Sequence, residues 1–289
     1  MAQIRELKKR MIAVRTIQRI TKTMQMIATA KFTAALARAK ATRPYTDRIR
    51  GLVGEVAAAA GDDFSHPLMK SPASPAKKEL VLVITSDRGL CGALNTNVFK
   101  TTLMMMREWQ GKGAKVNLCL LGSKGVAFFR RLGAPVLASV TGLGDKPHVR
   151  DLLGSVKVML DAYKDGTIDR LFIVNAEFVN TMTQKPTVTQ LLPAETVDVD
   201  GLQDHWDYIY EPSAAELLDG VLMRYIESQV YRGAVESVAC EMAARMVAMK
   251  AASDNAGKLI GDLQLVYNKA RQAAITKELA EIVGGAAAV

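Results

Sequence analysis

The residues of this chain most suggestive of chemistry lie at 81–95, VLVITSDRGLCGALN: an apolar run, then Asp87 and Arg88, then Gly89 and Gly92 ahead of a stretch able to open a helix. A strand, a glycine-bearing turn and a helix N-terminus are the parts of which nucleotide sites are built, because free backbone N–H groups and the helix dipole favour an anion there. The motif falls short of that chemistry. A P-loop needs GxxxxGK[ST], so that a lysine reaches the phosphates and a hydroxyl holds Mg²⁺; neither that pattern nor GxGxxG is present. GSKG at 122–125 also follows an apolar run and is an equally weak signal. No GxSxG elbow, HExxH pair or clustered carboxylate pair occurs. Asp87 and Arg88 are expected to form a local ion pair that stabilises the turn. His66, His148 and His205 lie far apart, and Cys91, Cys119 and Cys240 have no paired spacing. Neither a zinc site nor a disulfide framework is therefore expected, and a reducing compartment is the simpler setting. The expectation is a chain without metal, cofactor or catalysis of its own.

The elements that would position this turn follow from periodicity. From about 77 to 212, KKELVLVITSD reads as a buried strand, residues 95–110 as a helix and AKVNLCLLG as a second strand. A helix over about 123–132, the strand APVLASV, a helix over about 147–164 and the strand DRLFIVNAEFVN follow, with KPTVTQLLP as a fifth strand. Strands alternating with helices imply a mostly parallel α/β sheet.

The two ends have another period. Ile4, Leu7, Met11, Val14, Ile17, Ile20, Met24 and Ile27 recur in steps of three and four, a heptad-like seam with one short step, on a helix spanning about 3–58. Val238, Met242, Arg245, Met249, Ala252, Ala256, Leu259, Leu263, Val266, Ala270 and Ala273 repeat the pattern near the other end, with Arg245 the one polar member. That helix is expected to start at Ser213, with Glu216 at capping-box spacing, and to stop at Gly284-Gly285. The two seams suggest each other as partners in an antiparallel two-helix coiled coil. The organisation expected is a coiled-coil helix over 1–60, a proline- and serine-bearing linker over 61–76, a Rossmann-like α/β domain over 77–212 and a second coiled-coil helix over 213–289.

Charge is unevenly spread. Residues 1–50 hold thirteen Lys or Arg against Glu6 and Asp47, so they carry +11, while the remainder sums to −2. Four readings stay open on charge alone: a nucleic-acid surface, a targeting peptide, a membrane-surface helix, or a solvated helix facing an acidic partner. The helical pattern runs far past a presequence without changing character, against targeting. Phe32 and Tyr45 are the only aromatics among those fifty residues, too few for base stacking beside the charge. No run approaches the roughly 18–20 apolar residues of a membrane span.

Several segments together resemble one family. ITKELAEIVGGAAAV at 275–289 resembles the closing signature of the gamma subunits of F-type ATP synthases, and AARMVAMKAASDNAGKLIGDLQLVYNKARQ before it is similar to the same family. TIQRITKTMQMIATAKF at 16–32 resembles the family's N-terminal helix, SDRGLCGALN its middle-domain motif and WDYIYEP at 206–212 a further segment. The family has a second glycine and an aromatic where this chain has Ala93 and Leu94, which bears on how the turn packs. The resemblance starts at Gln3, so no transit peptide is expected, and a bacterial source is favoured. It implies a non-catalytic central-stalk rotor that turns inside the ring of alpha and beta subunits and couples transmembrane proton flow to ATP synthesis. The partners implied are alpha, beta, epsilon and the c-ring, with no nucleic acid, and the location is peripheral, at the cytoplasmic face of the bacterial inner membrane. Position by position, Arg271 and Gln272 match the pair engaging the catch loop of beta. Met24 and Arg245 match residues at the level of beta's acidic lever. Ile275, Thr276 and Glu278 correspond to the upper bearing on beta, and Tyr208, Tyr210 and Glu211 to the foot on the c-ring. The residues alone leave two rivals: a nucleotide-binding α/β enzyme with helical arms, and a basic coiled-coil nucleic-acid-binding protein.

Overall fold

A computed structural model describes residues 2–59, 66–70, 77–194, 210–211 and 213–286. The order is α1 (Ala2–Ala59), β1 (Lys78–Ile84), α2 (Leu94–Gly111), β2 (Lys115–Leu121), α3 (Ser123–Arg131), β3 (Val136–Val140), α4 (Val149–Lys164), β4 (Arg170–Phe178), β5 (Gln184–Leu192) and α5 (Ala214–Ala286). The expected elements are present within a few residues of their expected ends. At the start of α5 the Ser213 hydroxyl accepts the Glu216 N–H at 3.3 Å, the cap anticipated from spacing. At its end the helix continues through the Gly284-Gly285 pair to Ala286.

The five strands form one sheet in the order β3-β2-β1-β4-β5. β1 pairs parallel with β2 and β4, β2 parallel with β3, and β4 antiparallel with β5. The sheet is therefore mixed, because five residues between Phe178 and Gln184 permit a hairpin but no crossover. Central β1 is covered on both faces, which is why Leu80 to Ile84 form an unbroken apolar run. Leu80, Leu82 and Ile84 pack with Leu152, Val156 and Met159 of α4 and with Leu222 and Ile226 of α5. Val81 and Val83 pack with Val98 of α2 and Phe129 of α3. Leu68, inside the proline- and serine-bearing stretch, is fully buried in the first of these clusters, and its carbonyl accepts the Ala194 N–H at 2.9 Å.

Two compact units divide the chain inside the long helices: Met1–Thr29 with Arg245–Val289, and Ala30–Ala244. In the larger unit α1 and α5 pack through Ile49, Val53 and Val56 against Leu218, Leu222 and Ile226, then through a thinner layer of Ala35, Ala39, Val235 and Ala239. Direct ion pairs join them, Arg43 with Glu236 at 3.1 Å and Arg232 with Asp47 at 3.2 Å.

In the smaller unit a Cβ added at Gly257 would lie 3.1 Å from Gln18 Nε2, which fixes the facing level of the two helices there. The face turned inward is only in part the one the apolar pattern marks: Ile4, Leu7, Met11 and Val14 keep to it, and the two diverge after Val14. Met11, Thr21 and Ala28 are buried and Gln18 and Gln25 half-buried, whereas Ile17, Ile20 and Ile27 are each about half exposed. On α5, Met249, Ser253 and Ala256 are buried, while Leu259 and Val266 are exposed. A two-helix seam keeps a strict 3.5-residue period. The isoleucines, one position out of that period, are carried to the outside.

Candidate functional site

The turn after β1 is built on its own residues. The Asp87 carboxylate does not pair with Arg88. It accepts the Ser123 N–H at 2.9 Å, the Ser123 hydroxyl at 2.8 Å and the Gly142 N–H at 3.1 Å. Burial works against the charge, but these donors and the Gly144 backbone outweigh it and hold the carboxyl below its ordinary pKa. Ser123 is the first residue of α3, so a side chain of the protein occupies the anion position that a phosphate takes at such a helix start.

The glycines of GSKG have an equally internal reason. A Cβ at Gly122, whose φ is +97°, would lie 2.2 Å from the Thr85 carbonyl oxygen, and one at Gly125 2.8 Å from Thr85 Oγ1. Thr85 Oγ1 donates to the Leu121 carbonyl at 2.9 Å and accepts the Gly125 N–H at 2.9 Å. These glycines let the end of β1 approach α3. In GLCG, Ser86 and Asn95 bond to each other and close the loop: the Ser86 N–H donates to Asn95 Oδ1 at 3.1 Å and Asn95 Nδ2 to Ser86 Oγ at 2.7 Å. Leu90 takes the left-handed φ of 64° and Gly92 one of 59°. Ala93 has φ −88° and ψ 4°, a conformation open to any residue, and Leu94 is buried in the second cluster. The departure from the family at these two positions is thus accommodated without backbone strain.

What space remains at this end of the sheet is small. A cavity of about 40 Å³ lies among Thr85, Asp87, Arg88, Gly122 and the α5 residues Ser237 and Glu241. Small-molecule sites run to several hundred Å³, so this space fits about one water. Among the described residues no cluster of three or more His, Cys, Asp or Glu is arranged to hold a metal ion. The three cysteines are free and buried, and burial pushes the Cys119 thiol up to about 12.

The residues expected to meet partners are placed as follows. Arg271, Gln272, Ile275, Thr276 and Glu278 are exposed on α5, and Thr276 Oγ1 donates back to the Gln272 carbonyl at 3.0 Å. Met24 is half-buried and Arg245 buried. They do not share a level. In an antiparallel pair, six residues forward from Gln18 means six back from Gly257, so Met24 faces the turn near Ala251. Arg245 lies about six residues further on, roughly 9 Å along the axis. Tyr210 packs against the first core cluster and Glu211 is exposed, whereas Tyr208 lies outside the described residues. Periodicity missed the outward Ile17, Ile20, Ile27, Leu259 and Val266, which it assigned to the seam. For Ile17, Ile20 and Ile27 the one-position offset from a strict heptad was the signal that could have found them, whereas Leu259 and Val266 keep the heptad spacing and gave no such signal.

Two long helices packed side by side, with an α/β sheet inserted between them and its crevice filled from within, define a class of long-helix proteins that carry a Rossmann-like domain as scaffold. The chain belongs to the ATP synthase family, among its gamma chains: the family profile described as ATP synthase matches residues 3–289. The ATP synthase gamma chain of the bacterium Nitrosococcus oceani is 55% identical over 292 residues, covering all of both chains. Solved structures similar in fold include a chain of the Euglena gracilis mitochondrial ATP synthase OSCP/F1/c-ring assembly in rotational state 3, with TM-score 0.69 and 18% identity over 99% of this chain and 94% of that one. A chain of the rotor of the same Euglena enzyme in rotational state 1 has TM-score 0.64 and 18% identity over 95% and 99%. One from the central stalk/c-ring of the Tetrahymena thermophila enzyme has TM-score 0.59 and 24% identity over 81% and 99%.

Proposed function

We propose that this chain is the central-stalk rotor of an F-type ATP synthase, turning inside the ring of alpha and beta subunits and coupling proton flow to conformational change at beta's catalytic sites without chemistry of its own. The observation that carries the reading is the end-to-end identity with a bacterial ATP synthase gamma chain. The helices over 1–60 and 213–289 form the shaft, and the domain over 77–212 is its scaffold. The occupied anion position at Asp87 supports a non-catalytic role.

Met24, Arg245, Arg271 and Gln272 contact beta in this reading, with Ile275, Thr276 and Glu278 at the upper bearing. Tyr208, Tyr210 and Glu211 rest on the c-ring, and epsilon joins the stalk. The basic face of α1 meets acidic segments of beta through screened attraction, which favours turning over fixed pairs. No described helix is long and apolar enough to cross a membrane, and the reading places the chain peripherally, at the cytoplasmic face of the bacterial inner membrane.

The test is coexpression with alpha, beta and epsilon. One copy per ring, required for ATP-driven proton pumping by the reconstituted complex, is the expected result. Failure to co-purify, with tight nucleotide binding or salt-sensitive duplex binding by the chain alone, would overturn it.

A further inference from the structure

We propose that Glu236 is the joint that fixes the sheet to the helix pair and transmits torque between them, a positioning role that rests on the rotor reading above. The Glu236 side chain on α5 is 7% exposed. Its Oε1 accepts from Arg43 Nη2 of α1 at 3.1 Å and from the N–H of Phe178, the last residue of β4, at 3.4 Å. One oxygen therefore ties three elements. The Phe178 ring also meets Phe32 of α1, with centroids 5.5 Å apart, and the Cys240 thiol of α5 donates to the Ala176 carbonyl at 3.4 Å.

Further polar contacts surround this point. Arg232 and Glu236 are four residues apart on α5, as are Arg43 and Asp47 on α1, so the two ion pairs form a square of crossed charges. Pro44 lies between Arg43 and Asp47 and deprives the Lys40 carbonyl of its helical donor, which weakens α1 where the square braces it. The apolar layer at this level is mostly alanine. Beside it lies a cavity of about 280 Å³ lined by polar residues that include Arg50, Asn175, Glu177, Arg232 and Glu236. One turn before Glu236 the Gly233 backbone lies close against Ile84 and Ile173, and one turn after it Cys240 meets β4, so Glu236 sits between two contacts of α5 with the sheet and also reaches α1. Surface ion pairs contribute little. Glu236 is different, because its buried carboxylate also accepts a backbone N–H of the sheet; its removal takes that acceptor away, while the half-exposed Arg43 can turn to solvent.

The test uses the full chain with spin labels on cysteines introduced at exposed Lys40 of α1 and Lys185 of β5. The native thiols are buried, so they stay unlabelled. Glu236→Ala is expected to at least double the width of the label–label distance distribution and to speed amide exchange at Phe178 about tenfold. Glu236→Gln, which keeps an acceptor oxygen, should fall between Glu236→Ala and the unsubstituted chain, and it decides the matter if Glu236→Ala does not fold. The swap Arg43→Glu with Glu236→Arg restores the helix–helix pair but not the acceptor for Phe178, so its distribution should stay broad. Widths equal to the unsubstituted chain overturn the joint. In the assembled complex, with a bead on the α/β domain, Glu236→Ala should about double the variance of the paused angle while leaving ATP hydrolysis unchanged. Unchanged variance overturns the torque-bearing role. If the unsubstituted chain does not rotate in the complex, the rotor reading fails, and the spin-label result still decides the joint.

Discussion

Asp87 shows how a residue that looks catalytic is used for folding. Its type and place, after a buried strand and ahead of two glycines, were legible. Its partners were not, because Ser123 at the start of α3 and Gly142 after β3 reach the end of β1 only through the sheet order. Sequence neighbours therefore made Arg88 the natural choice. Asp87→Ala should leave the half-buried Ser123 N–H without its acceptor, while the exposed Gly142 N–H turns to water; the unfolding free energy should fall by about 1–2 kcal/mol, read by urea denaturation of the full chain. The sign with pH follows from the lowered pKa. Its stabilising contribution is complete above the unfolded carboxyl value of about 3.9 and is lost as pH falls toward the lower folded value. The difference between the original chain and Asp87→Ala should therefore be constant from pH 7 to 5 and shrink below about pH 4. A difference that grows on acidification would mean that the carboxylate is not the acceptor described.

At the scale of elements, the sequence told which segments are strands and helices but less about what faces what. The mostly parallel sheet was legible from strand–helix alternation, and the direction of β5 follows from the short connection after β4, which permits a hairpin but no crossover. The seam was harder, since apolar spacing alone does not say which face turns inward, and Ile17, Ile20 and Ile27 lie on the outer side of the pair. The polar part of the inner face makes a definite prediction. Thr21 and Ser253 are both buried, and the Gln18–Gly257 contact places them opposite one another. Cysteines at these two positions should form a disulfide within one chain readily on mild oxidation, whereas a Met24→Cys, Arg245→Cys pair should lag at least tenfold. Faster closure of the second pair, or products only between chains, would show that the helices are offset from this register. Gly122→Ala tests the approach of β1 to α3, because its Cβ would have to displace the Thr85 backbone and its φ of +97° disfavours alanine. A loss of about 2–4 kcal/mol in unfolding free energy is expected, and an unchanged denaturation midpoint would contradict the close approach.

For the whole molecule, charge, helix length and the weak glycine motifs left three functional classes open, and only the matched segments at both ends decided among them. The reason is physical: a shaft works through surfaces that are complementary to other chains, and those partners are absent from its own sequence pattern. Arg271 and Gln272 show this most plainly. Both side chains are exposed on an uninterrupted helix, so nothing in this chain explains their types. If they grip beta, their bonds form at some rotor angles and break at others, and each bond to a charged or amide partner is worth about 1–3 kcal/mol. Replacing both with alanine keeps the best helix former at each position and removes no inward residue. Helicity by circular dichroism and the yield of assembled complex should therefore match the unsubstituted chain. ATP synthesis by that complex should fall several-fold, through weaker coupling of shaft angle to the catalytic sites. Full synthesis in a fully assembled double variant would make the two side chains ordinary helix surface. A drop in helicity or assembly would make their role structural.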